Sequence, residues 1–355
     1  MRAILRQLSR RRVLIQVAGA TTAGICVAIA VGVGAIRVFT DVDPWPAMAA
    51  IHPLWLAAAV AVFVFGNLLV GHRFVVMLPR DESPGLGGFE VGSIFFASSV
   101  FSLLLPGPVG EIAAVAALKK RYGLPLSTGF ATTVHARFVG LAAAAVIGAC
   151  ALPFVEVDGS VGAVLVAGAV LLLLGGMVLG LLSMQPKGLV HLGERLVSWS
   201  DRPGLIGRIF GSVRLFARSL AQVGKADGET WARVFGWSLV IQFVQMGALI
   251  CLCLALDFRA SWAGLFLAQG TGSLAILVGV FLPGGLGTYE LAFVGSMVGA
   301  GGLSIASAGT LIVAVRVVHL LAIGCAGLMF AGWAHVFLSE DVVSSLEGVA
   351  LEGQT

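Results

Sequence analysis

The sequence predicts an all-α integral membrane protein of about six full transmembrane helices plus two re-entrant hairpins, arranged as an inverted-topology internal repeat. Three observations carry this. Of 355 residues, 58% are hydrophobic and 11% charged, with a mean hydropathy of +1.01; ordinary soluble domains carry about 25% charged residues, so a soluble globule is excluded. Six apolar runs are long enough to cross a bilayer. Two further apolar stretches break on Pro and Gly, and each break is followed by a glutamate and then, at the same spacing in both, by an arginine inside an apolar run.

Composition excludes other classes. The 48 glycines are scattered through Leu, Val and Ala runs without a three-residue period, which rules out collagen. A net charge of +4 is too small to suggest nucleic acid. All five cysteines, Cys26, Cys150, Cys251, Cys253 and Cys325, lie in apolar runs, where a thiol behaves as a small hydrophobe, so neither a disulfide framework nor a metal site is expected.

The chain opens on Ser9-Arg10-Arg11-Arg12-Val13-Leu14, which looks like a twin-arginine export signal. The apolar stretch behind it is long enough to span a bilayer and no small-residue cleavage site follows, so 13–36 reads as a first span held by cytoplasmic arginines. Further spans are expected at 54–78, 126–152, 161–183, 231–256 and 304–338. Between them, 91–105 runs into Leu105-Pro106-Gly107-Pro108-Val109-Gly110-Glu111, and 262–282 runs into Pro283-Gly284-Gly285-Leu286-Gly287-Thr288-Tyr289-Glu290. Broken backbone at membrane depth is tolerated only where it is buried in protein or lines a wet cavity. Both stretches, each followed by a short apolar piece, therefore read as hairpins, over 91–120 and 262–299.

Charge tests the topology. With the N-terminus in the cytoplasm, sixteen Lys and Arg fall on inside segments and two, Arg37 and Arg259, on outside segments. That is a strong positive-inside bias, and it places both termini in the cytoplasm. Either hairpin read as a full span would reverse everything after it, so the first hairpin opens inward and the second outward. In the 184–230 loop, Ile206, Ile209, Val213, Phe216, Leu220 and Val223 recur at helical spacing with Arg208, Arg214, Arg218 and Lys225 opposite them. This segment, 206–225, is expected to lie on the anionic inner leaflet.

One polytopic domain, 1–355, is expected, with repeats over 54–155 and 231–338 and a cytoplasmic tail at 339–355. Leu105-Pro106-Gly107-x-x-Gly110 matches Leu282-Pro283-Gly284-x-x-Gly287, and Glu111 and Arg137 recur at one constant offset as Glu290 and Arg316. Inverted repeats are a recurrent device of transporters, which hold substrate at the repeat interface near the midplane. A charge at that depth costs about 2.5–3.5 kcal/mol, so four unpaired ones would cost roughly 10–14 kcal/mol, comparable to the stability of a whole domain. They must pair or line water. Glu111, Arg137, Glu290 and Arg316 are the candidate substrate-binding residues, with a purely structural ion pair as the competing reading.

The glycines and prolines of the hairpin loops, Pro106, Gly107, Gly110, Pro283, Gly284, Gly285 and Gly287, could cradle a phosphate through backbone N–H groups. Any sharp turn needs the same residues. His135 and His319 lie near the two arginines and are secondary candidates, and Gln242, Gln245 and Gln269 also fall in apolar segments. No His-Glu-x-x-His, phosphate-binding P-loop or Gly-x-Ser-x-Gly pattern is present, so no cofactor, metal or enzymatic activity is expected.

These motifs, Leu-Pro-Gly-x-x-Gly-Glu with Arg137 and Leu-Pro-Gly-Gly-x-Gly-x-x-Glu with Arg316, resemble the flippase-like membrane domain of lysylphosphatidylglycerol synthetases, also described as the uncharacterised protein family UPF0104. The likeness covers roughly 50–338. It implies a bacterial or archaeal cytoplasmic-membrane protein that moves or processes lipids: aminoacylated phospholipids in the synthetases, hopanoids or polyprenyl-linked sugars in standalone relatives. The resemblance places Glu111, Arg137, Glu290 and Arg316 on the family's polar positions. Two departures stand out. Only the short stretch 339–355 follows the last expected span, where the synthetases carry an aminoacyltransferase domain, and Phe101-Ser102-Leu103-Leu104 stands where relatives often have an Asn before the first Leu-Pro. The expected function is translocation of a polar-headgroup lipid with no nucleic-acid partner. A small-solute or ion transporter, or an accessory partner of a lipid-biosynthetic enzyme, are the rival readings.

Overall fold

In a computed structural model of the chain, the residues described are 45–79, 85–104, 109–155, 167–178, 226–278 and 287–337. Among them all regular structure is helical, with no strand. A short helix α1 (Trp45–Ala49) precedes α2 (Pro53–Met77), α3 (Gly88–Leu104), α4 (Val109–Tyr122) and α5 (Leu126–Ala151), which ends in a 3-10 turn at Leu152–Phe154. Then come α6 (Ala167–Val178), α7 (Gly228–Ala255), α8 (Trp262–Val278), α9 (Thr288–Gly299) and α10 (Ile305–Phe337).

Four of these helices, α2, α5, α7 and α10, are long and apolar enough to cross a membrane. They hold 25 to 33 residues, and at about 1.5 Å per residue each exceeds the ~30 Å hydrocarbon core. They match the spans expected at 54–78, 126–152, 231–256 and 304–338. The expected span at 161–183 contains α6, whose described part is too short to cross by itself. The expected span 13–36, the basic segment 206–225 and the tail 339–355 lie outside the described residues.

Helix boundaries follow local chemistry. Helix α2 carries Pro53 in its first turn, where a missing N–H costs nothing. It stops because Pro79 forces the preceding residue out of the helical region, and Leu78 is extended at φ −64°, ψ 140°. Helix α4 ends at Gly123, whose φ of 74° lets its N–H close back on the Lys119 carbonyl at 2.9 Å. Helix α7 begins on Asp227, whose Oδ1 accepts the Thr230 N–H at 2.8 Å.

The order of lengths is long, short, short, long, twice: α2 to α5, then α7 to α10. The two sets interlock. The leading helices α2 and α7 pack along each other, and within each set the two short helices pack together, α3 on α4 and α8 on α9. The last helix of each set packs on the first short helix of the other, α10 on α3 and α5 on α8.

Small residues permit these crossings. A Cβ at Gly71 of α2 would strike the backbone of Gly88 and Gly92 of α3, and one at Gly270 of α8 would meet the Ala144 carbonyl of α5 at 2.7 Å. Helices in lipid gain little from apolar burial against each other, so close backbone approach at Gly supplies their packing energy. Apolar clusters surround each short pair: Phe74, Val91, Ile94, Leu118 and Phe330 around α3 and α4, and Leu249, Leu265, Phe293, Met297 and Leu311 around α8 and α9. Leu54, Phe154, Leu171, Leu291 and Leu328 are exposed, as apolar side chains facing lipid should be.

Candidate functional site

The two glutamates occupy equivalent places. Glu111 is the third residue of α4 and Glu290 the third of α9, so each carboxylate sits in the first turn of a short helix, where the helix dipole favours negative charge. The two arginines also match, Arg137 being the twelfth residue of α5 and Arg316 the twelfth of α10. At ~1.5 Å per residue each guanidinium is attached about 17 Å along its helix, near the middle of a membrane.

Each glutamate pairs with the arginine that follows it at the shared spacing, but the pairs differ. In the first, Arg137 Nη1 donates to Glu111 Oε1 at 3.0 Å, and the side chains remain 35% and 32% exposed. In the second, Arg316 Nε donates to Glu290 Oε1 at 2.7 Å, and the side chains are only 16% and 21% exposed. Glu290 Oε2 also accepts the Gly287 N–H at 2.7 Å, closing the start of α9. The Tyr289 ring lies 5.0 Å from the Arg316 guanidinium carbon, a cation–π contact. Tyr289 stacks in turn on Phe293, and its ring centroid is 6.2 Å from His319.

The remaining expected residues divide. His319 stands beside the second pair, 4.6 Å from the Phe63 ring and next to Tyr289. His135 is fully buried and meets Trp231 of α7 edge to face at 5.5 Å, on a different side of α5 from Arg137. The three glutamines form one network: Gln269 Nε2 donates to Gln242 Oε1 at 2.6 Å and to Gln245 Oε1 at 3.3 Å, and Gln242 Nε2 reaches the Gly140 carbonyl at 3.4 Å. This ties α7 and α8 to α5. Of the hairpin-loop residues, Gly110 lies buried in the first turn of α4 and Gly287 caps α9 at φ 88°. Pro106, Gly107, Pro283, Gly284 and Gly285 lie outside the described residues.

Sequence reasoning passes over Arg73. It falls inside the 54–78 run near the end that the charge pattern places inward, where a basic residue reads as an anchor. In the fold its side chain turns inward. Nη1 approaches Ser238 Oγ of α7 at 3.5 Å, and a Cβ at Gly140 of α5 would collide with the same nitrogen. Both Glu111 and Arg137 act on it electrostatically. Its buried Nε has no hydrogen-bond partner among the described residues. The available signal was a charge within a membrane run, the criterion that picked out Arg137 and Arg316.

A second kind of ion pair closes the base of the first hairpin. Arg121 Nη2 donates to Glu90 Oε1 at 3.1 Å, bridging the end of α4 to the start of α3. Trp333 of α10 covers Arg121 at 5.1 Å and donates from Nε1 to Ser93 Oγ at 3.0 Å. The hydrogen bond from Tyr122, and to a smaller degree the one from Arg121, hold the Glu90 carboxyl below its ordinary value against the opposing effect of burial.

No group of three or more His, Cys, Asp or Glu that could hold a metal occurs among the described residues. Two ion pairs at membrane depth, on equivalent turns of two sets of helices, make an arrangement suited to binding charged groups. Neither the curated proteins nor the solved structures hold a match to the chain. A family model does match, the lysylphosphatidylglycerol synthase TM region, over residues 23–327. With most of its length within that match, the chain belongs to the family of the lysylphosphatidylglycerol synthase TM region and is a multi-pass membrane protein related to lipid handling.

Proposed function

We propose that the protein is a lipid flippase of a bacterial or archaeal cytoplasmic membrane, carrying a polar headgroup past the two Glu–Arg pairs while the acyl chains stay in lipid. In this reading α3 with α4, and α8 with α9, are re-entrant hairpins that meet from opposite leaflets as an inverted repeat. Glu111 and Glu290 attract the cationic part of a headgroup and Arg137 and Arg316 its phosphate, to which the planar guanidinium fork is suited. The observation that carries the proposal is the recurrence of one ion pair, at the third residue of a short helix and the twelfth of a long one, in both sets of helices.

Reconstitution into vesicles with a headgroup-labelled phospholipid tests it. Arg137→Ala and Glu290→Gln are each expected to abolish label movement between leaflets while the protein still inserts; full activity in both variants sinks the proposal. Exchanging Glu and Arg within a pair should preserve a merely structural role and destroy a headgroup site. The hairpin topology is tested separately, since Val109→Cys should be labelled from the cytoplasm and Leu286→Cys from outside.

A further inference from the structure

The ion pairs match, but the charge around them does not. Beside Glu111 and Arg137 stands a second guanidinium, that of Arg73, which fills the space at Gly140, one turn along α5 from Arg137. By the offset that carries Glu111 to Glu290, the position matching Arg73 is Leu252, which is 2% exposed in the apolar cluster of the other set. The first site therefore holds two cations and one anion where the second holds one of each, among the described residues.

Arg73 is not an interfacial anchor. Its Nη1 meets Ser238, the eleventh residue of α7, and lies against Gly140, the fifteenth of α5. At ~1.5 Å per residue those levels are roughly 15 and 21 Å along their helices, the depth of Arg137. Gly140 leaves the space the guanidinium occupies, and a single long hydrogen bond to Ser238 together with an unpartnered Nε leaves most of its donors unused among the described residues. The excess guanidinium has no counter-charge of its own there, and the first pair, a third exposed, leaves room for one.

Resting on the lipid-handling reading, we infer that Arg73 and Arg137 together form an anion site for a phosphate group, with Glu111 screening the two guanidiniums from each other until the phosphate enters. Two planar forks converging on a tetrahedral anion give the charge-assisted, multidentate contact that phosphate favours. A headgroup phosphodiester supplies the missing negative charge, whereas at the second site it must first displace Glu290 from Arg316. The asymmetry makes the first site the one that takes up the phosphate before Arg316 can hold it.

The test is thermal unfolding of the full chain in detergent, titrated with dioleoylphosphatidylglycerol, with dioleoylglycerol, which lacks the phosphate, or with inorganic phosphate. The phosphatidylglycerol should raise the unfolding midpoint and the other two should not. Arg73→Gln should shift the lipid titration by roughly tenfold or more, as loss of a charge-assisted contact implies. Arg73→Lys should recover part of it, and Arg259→Gln, an exposed loop change of the same charge, should leave it as it was. If Arg73→Gln does not fold, Gly140→Ala provides the second variant, displacing the guanidinium without removing its charge.

An unaltered lipid response in both Arg73→Gln and Gly140→Ala overturns the inference. A response to inorganic phosphate equal to that of the lipid overturns the headgroup assignment and leaves a free-anion site. Lipid binding that depends on Arg73 without vesicle translocation would defeat the flippase reading and spare this one; translocation without such binding would do the reverse.

Discussion

The Glu111–Arg137 and Glu290–Arg316 pairs share sequence spacing, helix position and chemistry, yet one is held loosely and the other tightly. Glu290 uses both oxygens, one on Arg316 and one on the Gly287 N–H, and Tyr289 covers the guanidinium. Glu111 holds Arg137 at 3.0 Å in a more open setting that contains Arg73. A repeat fixes where charged groups stand. What surrounds them decides how fully each charge is satisfied.

The largest contrast is expected between the two glutamates. Glu290→Gln removes the carboxylate from a mostly buried arginine, and leaving a buried charge uncompensated costs about 3 kcal/mol; Glu111→Gln acts on a pair a third exposed, where solvent screens both the lost attraction and the Arg73–Arg137 repulsion it uncovers, so the loss is about 1 kcal/mol or less. Unfolding midpoints in one detergent should separate the two variants clearly, and equal losses would break the comparison. Next comes Tyr289→Ala, expected to cost about 1–2 kcal/mol through its cation–π contact and packing, while Tyr289→Phe keeps the ring and most of the stability. The corresponding position in the first set is Gly110, which offers no ring, so this effect belongs to the second site alone.

Gly140→Ala should sharpen the comparison from the other side, changing stability little, because the group it meets is the far end of a flexible side chain, yet altering anion-dependent stabilisation. The smallest effect concerns the hairpin base. The Glu90 carboxyl is held below its ordinary value, so its contribution is present above the unfolded carboxylate value of about 4.3 and is lost as pH falls through the lower folded value. Wild type should therefore lose slightly more stability than Glu90→Gln on acidification below about pH 4, read as the difference in unfolding midpoint. No such effect is expected in the second set, where the same offset puts Gln269 and Ala300 at the positions of Glu90 and Arg121.

Much of this was legible in the sequence because lipid imposes simple rules. Four long helices were readable as apolar runs, and in the fold Pro79 stops α2 while Gly123 stops the short α4. Cost required the four charges to pair or line water, and the fold pairs them. Arg73 was not legible: distance along α2 places it near a membrane edge, and only the crossing of α2 with α5 and α7 carries its guanidinium to Gly140 and Ser238. The two histidines differ in spacing, two residues before Arg137 and three after Arg316, which turns His135 away from its arginine and keeps His319 on the face of its own, and their neighbours agree, Trp231 for His135 and Tyr289 for His319. Tyr289 stood only as a letter within a motif, because a ring's service to a guanidinium depends on the angle between α9 and α10.

The exchange of helices between the two sets has a mechanical consequence. The hairpin that carries Glu111 leans on α10, which carries Arg316, and the hairpin that carries Glu290 leans on α5, which carries Arg137. Each site therefore draws its carboxylate from one lever and its guanidinium from a helix on which the opposite lever rests. Each short pair of helices is thus braced by the long helix that bears the other pair's arginine.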